Sequence, residues 1–130
     1  MALAYLAGKN EYHSVRSIVA ALGLPQRLLA EVLKQLSHAG IVAAHRGPAG
    51  GYRLDGPASD ITLARVVLTL EGPTKVTECH GGHCDLEFSC NIRQGMLDVG
   101  DRIQDILERT TVQDLARPPA QRAEATSFPA

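Results

Sequence analysis

A mainly α fold with one small β-hairpin is predicted by three observations. Apolar residues recur at helical spacing in several short runs, most of them closed by glycine. Two short apolar segments flank the glycine-rich stretch 45–51, the pattern of a hairpin. A later stripe from Ile92 to Ile106 alternates steps of four and three residues, which marks a longer helix with a single apolar seam. At 130 residues the chain has room for one compact domain and an appended helix.

Taken in order, residues 2–7 are apolar and stop at Gly8-Lys9-Asn10, so the chain opens inside a helix that ends there. Ser14 offers an N-cap to Val15, Ile18, Val19 and Leu22, and Gly23 closes that second helix. Pro25 suits the first turn of a third helix, in which Leu28, Leu29, Val32, Leu33 and Leu36 form an apolar stripe reaching Ala39-Gly40. Its exposed face is expected to carry Gln26, Arg27, Ala30, Glu31 and Lys34. Two helices joined by a tight glycine turn read as a helix-turn-helix. Ile41–Ala44 and Tyr52–Leu54, joined through His45–Gly51, then form a two-stranded wing.

Together these elements make residues 1–73 a winged helix-turn-helix domain for binding DNA. In that arrangement the second helix of the motif enters the major groove and an arginine-tipped wing meets the minor groove. The candidate contacts are Gln26, Arg27 and Lys34 on the helix, with Arg46, Gly47 and Arg53 on the wing. Ser59-Asp60 is expected to cap a further helix through Ile61, Leu63, Val66, Val67 and Leu70, ended by Gly72-Pro73 and packed under the wing.

A cysteine loop occupies 74–91, and 92–109 form a long C-terminal dimerisation helix with the seam Ile92, Met96, Val99, Ile103 and Ile106. Such a short seam adds a helix to a symmetric homodimer that has other contacts as well. Within 110–130, Thr110 to Leu115 reads as a short capped turn of helix, and the polar tail after Ala116 as disordered.

Composition excludes several classes. The chain is 45% hydrophobic and 21% charged, and no apolar run approaches the roughly 18 residues that cross a bilayer, so no membrane partner is expected. No basic residue precedes the apolar start, unlike a secretory signal, and a cytoplasmic location is expected. The net charge of −1 hides an asymmetry: residues 1–56 hold six Lys or Arg against three Asp or Glu, and the remainder seven against eleven. The N-terminal half is therefore the one suited to an anion. No nucleophile–base constellation and no phosphate loop is present, so no enzyme is expected.

The chemistry lies in Cys79-x4-Cys84-x5-Cys90. Three cysteines in twelve residues cannot pair off completely and are too local to staple a fold. In a reducing compartment, soft thiolates select zinc or an iron–sulfur cluster. Zinc motifs favour tight C-x2-C pairs, which this loop lacks, so a cluster held by three cysteines and one weaker ligand fits better. His80, His83, Asp85 and Glu87, a partner-chain residue or a small molecule are all open as the fourth ligand. Two other readings of the loop stand beside this one: a metal-free thiol redox or zinc-binding regulator, and an iron–sulfur carrier, which would have no use for the wing.

The chain resembles the cluster-sensing winged-helix regulators typified by IscR and NsrR, above all the branch that regulates the SUF system of iron–sulfur cluster assembly. The resemblance spans residues 2–117. It rests on Leu33-Lys34-Gln35-Leu36 with Ala39-Gly40-Ile41-Val42, on the wing from Arg46 to Leu54, on Leu70-Glu71-Gly72-Pro73, and on Thr77-Glu78-Cys79 with the further cysteines. It implies a homodimeric transcription factor on a palindromic operator, carrying a [2Fe–2S] or [4Fe–4S] cluster and often repressing its own operon. Three departures stand out. Arg93 occupies the place where some relatives have a histidine ligand, and Ala30 the place of an acidic residue that one relative uses to discriminate operators. Relatives also begin further upstream, with a segment that completes the first helix and in some cases supplies a ligand to the other subunit.

Overall fold

The computed structural model describes residues 1–77, 79, 84–86 and 88–118. The elements are α1 (Ala2–Leu6), α2 (Val15–Leu22), α3 (Gln26–His38), β1 (Val42–His45), β2 (Gly51–Leu54), a 3-10 turn (Ala58–Asp60), α4 (Leu63–Glu71), α5 (Arg93–Arg109) and α6 (Val112–Ala116). This is the expected architecture of helices around one antiparallel hairpin.

Local chemistry sets the helix ends. The Ser14 hydroxyl accepts the backbone N–H of Ser17 at 3.1 Å and starts α2, and Gly23, at φ 67°, ends it in the left-handed conformation. One body results because Leu6, Ile18, Leu29, Leu33, Leu36, Ile41, Val42 and Ile61 are all buried together. Each such side chain contributes about 1.5–3 kcal/mol through the apolar area it removes from water. One member of the expected α3 stripe does not join them: Leu28 is 62% exposed, because the core-facing arc of the helix is already occupied by Leu29, Leu33 and Leu36.

The wing pairs Val42 with Leu54 and Ala44 with Tyr52, and Val42 and Leu54 are buried. A further backbone pairing extends it: His13 and Tyr52 exchange N–H to O=C bonds at 2.9 and 2.8 Å. This close approach explains Gly51, whose φ is 152° and where a Cβ would sit 2.2 Å from the His13 carbonyl oxygen.

Two expectations for α4 are corrected. Its cap is Thr62, whose hydroxyl accepts the Arg65 N–H at 3.3 Å, whereas Ser59-Asp60 belong to the preceding 3-10 turn. Its main neighbours are α3 and α5, not the wing. The Thr62 site is fixed by a tertiary pairing, since Leu63 N–H donates to Thr110 O at 2.7 Å and Val112 N–H to Ile61 O at 2.9 Å. By these bonds α6 docks beside the start of α4, with Val112 buried.

The α5 seam divides. Ile92, Val99 and Ile106, seven residues apart, are exposed, while Met96 and Ile103 are half-buried, as are Leu97 and Leu107. The helix thus spends part of its apolar surface on its own chain, chiefly against α4.

Candidate nucleic-acid interface and cysteine loop

Burial of Leu29, Leu33 and Leu36 turns the opposite side of α3 to solvent. Arg27, Glu31 and Lys34, at spacings of four and three, share that face, with Gln26 exposed at its start and Ala30 half-buried at its edge. The Gln35 side-chain amide donates to Glu31 at 3.3 Å. Exposed cations flanking a held carboxylate can contact phosphates and base edges alike. Composition alone did not single out Leu28 or Gln35 for this surface.

Arg46 and Gly47 stand exposed in the wing turn. That turn is closed by the Gly50 N–H donating to Gly47 O at 2.9 Å. Arg53 is placed differently: its guanidinium lies 4.8 Å from the Tyr12 ring centroid and donates to the Asn10 carbonyl at 3.4 Å. Tyr12 also faces the His45 ring at 5.2 Å, so Arg53 sits in a stack at the wing base, away from its tip. Tyr52 packs on the core, in keeping with a role in holding the wing.

The loop between α4 and α5 carries Cys79, Cys84 and Cys90 as free thiols. Cys79 and Cys90 are half-buried and Cys84 is exposed. In kind, the donor set fits a soft metal or an iron–sulfur cluster. In arrangement, no three His, Cys, Asp or Glu side chains converge among the described residues. Of the possible fourth ligands, Asp85 is exposed, whereas His80, His83 and Glu87 lie outside the described residues. Leu86 and Phe88, which the sequence reading passed over, are exposed between the second and third cysteines. Arg93, in the first turn of α5, donates to the Cys79 carbonyl at 3.4 Å.

With this geometry in place, the family model Rrf2, described as an iron-dependent transcriptional regulator, matches residues 1–118. The chain belongs to the Rrf2 family. The transcriptional repressor NsrR of Streptomyces coelicolor is 30% identical over 120 residues, covering 92% of this chain and 81% of that protein. A transcriptional regulator IscR of Vibrio atlanticus is 32% identical over 112 residues, covering 81% of this chain and 65% of its own length. Among solved structures, CymR of B. subtilis, the global cysteine regulator, superposes with a TM-score of 0.66 at 28% identity, over 88% of this chain and 84% of that one. As an Rrf2 protein this chain is a DNA-binding transcriptional regulator and not an enzyme. No helix among its described residues is long and apolar enough to cross a membrane.

Proposed function

We propose that this chain is a homodimeric, cytoplasmic repressor that occupies double-stranded operator DNA according to the state of an iron–sulfur cluster on Cys79, Cys84 and Cys90. Residues 1–73 serve as the DNA-binding unit, 74–91 as the cluster loop, 92–109 as the dimerisation helix and 110–130 as a terminal segment. The observation that carries this reading is the set of three free thiols in the loop that leads into α5, a helix whose outer row Ile92, Val99 and Ile106 is exposed among the described residues. A cluster on these thiolates supplies a centre that oxidants or nitric oxide degrade.

The protein's own residues provide the path to DNA. The loop joins α5, α5 packs on α4, and Arg65 of α4 donates to the carbonyls that end α3. In a symmetric dimer, two α3 helices meet successive major grooves about one DNA turn apart. A small rearrangement at α5 then changes affinity by a coupling of about 1–3 kcal/mol. The SUF-type motifs support cluster-assembly genes as the targets.

A second reading is a thiol-redox or zinc-binding regulator without a cluster; the likeness to CymR supports it, and the absence of a converged donor group among the described residues favours its metal-free thiol form. Anaerobic isolation, with iron, sulfide and zinc measured per chain, separates the two. The deciding step is affinity for a duplex selected by the protein from a random-sequence pool, with and without the cluster. Cluster-dependent affinity is expected, and equal affinities overturn the switch.

A further inference from the structure

Leu28 is exposed in the first turn of α3, although helical spacing places it in the apolar stripe. Among the described residues it is the one apolar member of the solvent-facing side of this helix, beside Arg27, Glu31, Lys34 and Gln35. Glu31 and Gln35 continue its row along the helix surface, and the Gln35 amide donates to Glu31 at 3.3 Å. A helical side chain leans toward the N-terminus of its helix, which carries Leu28 toward the leading end of α3. The other end is occupied: Arg65 of α4 donates to the Ala39 and Gly40 carbonyls, and Ala39 lies about 16 Å further along the axis. Since α5 packs on α4, Leu28 stands at the end of α3 remote from the helix assigned to dimerisation.

Arg27 and Lys34 give this face the charge that phosphates attract. Recognition helices set their first residues against base edges in the major groove, and those edges present donors, acceptors and one apolar group, the C5 methyl of thymine. A leucine satisfies neither a donor nor an acceptor, so at this position it has one favourable partner in that groove. We propose that Leu28 is a specificity-determining residue that packs on a thymine methyl of the operator. Cytosine in the same place would lose the methyl contact and bury its N4 amino donor against the leucine with no acceptor, which adds to the discrimination. This inference rests on α3 being the helix that enters the major groove, and the test separates the two.

The test uses the full chain and a duplex that the wild-type protein selects from a random-sequence pool, with each thymine replaced in turn by deoxyuridine, which lacks only the methyl. At the thymine that Leu28 reads, the replacement should lower wild-type affinity about fourfold, the scale of one methyl group withdrawn from water. Leu28→Ala should bind the thymine duplex more weakly by at least that factor, and the deoxyuridine replacement should then cost nothing further. The salt dependence of Leu28→Ala should match wild type, because no charge is removed. If the variant binds too weakly to titrate, lower salt brings it into range, since its phosphate contacts are intact. A wild-type protein indifferent to every thymine methyl overturns the proposal, and so does a methyl sensitivity that persists in Leu28→Ala. A changed oligomeric state in Leu28→Ala, with methyl sensitivity intact, assigns the leucine to a second copy and overturns it too. Arg27→Ala and Lys34→Ala tell the failures apart. If neither alters affinity or its salt dependence, α3 is not on the DNA and both readings fall; if they do, only the role of Leu28 falls.

Discussion

The Arg65 guanidinium on α4 donates to the Ala39 carbonyl at the end of α3 at 2.8 Å, and to the adjoining Gly40 carbonyl at 3.2 Å. The last carbonyls of a helix lack partners within it, and a cation there also opposes the negative end of the helix dipole. Because Arg65 is exposed, we expect Arg65→Ala to cost only about 1 kcal/mol in urea unfolding. The same variant should weaken DNA binding beyond that loss, since α3 is then less firmly oriented. Wild-type DNA affinity in Arg65→Ala would remove this residue from the path between α5 and α3.

Core and surface leucines of α3 should behave oppositely. Leu33 is fully buried and Leu28 is 62% exposed. Leu33→Ala is expected to cost about 2–5 kcal/mol, and Leu28→Ala to stay within about 0.5 kcal/mol. Chemical denaturation of the two variants checks the helix orientation directly.

Two glycines should respond with opposite signs. Gly51→Ala places a Cβ against the His13 carbonyl and is expected to destabilise by at least about 1–3 kcal/mol. No described residue lies within 4 Å of a Cβ on Gly95, so Gly95→Ala in the first turn of α5 should stabilise by up to about 0.5–1 kcal/mol. Thermal melts followed by circular dichroism would show both.

The exposed cations differ in what they are free to do. Arg27, Lys34 and Arg46 face solvent, and replacing one that contacts phosphate should lower the salt dependence of DNA binding by about one charge. Arg53 is held by Tyr12 and Asn10, so Arg53→Ala should leave that slope nearly unchanged. A full one-charge loss in Arg53→Ala would place it on the DNA after all.

Acid should release one cap. Hydrogen bonds from the Thr111 backbone N–H and hydroxyl hold Asp114 below its ordinary value of 3.8. A depressed carboxylate stabilises the fold above its unfolded pKa, and that stabilisation is lost as pH falls through the folded value. The melting difference between wild type and Asp114→Ala should therefore be full at neutral pH and shrink below about pH 4. A difference constant down to about pH 2 would show that the carboxylate charge plays no part.

Much of this fold was legible residue by residue. Ser14, Gly23, the α3 stripe and the Thr111 cap announce themselves because capping and helical periodicity act over three or four neighbours. Thr62 was missed as a cap because its position is set by the backbone bonds of its two neighbours, Leu63 N–H to Thr110 O and Val112 N–H to Ile61 O, whose distant partners no local pattern displays. The His13–Tyr52 pairing escaped for a related reason, since a bridge of one residue has no periodicity to detect. In the candidate site, the types and spacing of the candidate DNA-contact residues and of the thiols were readable, and their orientations were not.

The sequence by itself determined the element order, the helix-turn-helix with its wing, the placing of all three cysteines in one loop, and the Rrf2 resemblance. Each follows from chemistry between near neighbours or from motifs carried intact along the chain. Tertiary structure alone decided that Arg53 turns back onto Tyr12, that the α5 seam splits into covered and uncovered rows, and that Arg65 and Arg93 tie α4 and the cysteine loop to their neighbours. A long cation on an exposed position has several carbonyls and rings within reach. Which one it takes depends on packing between segments far apart in sequence, and that packing is settled only when the whole core closes.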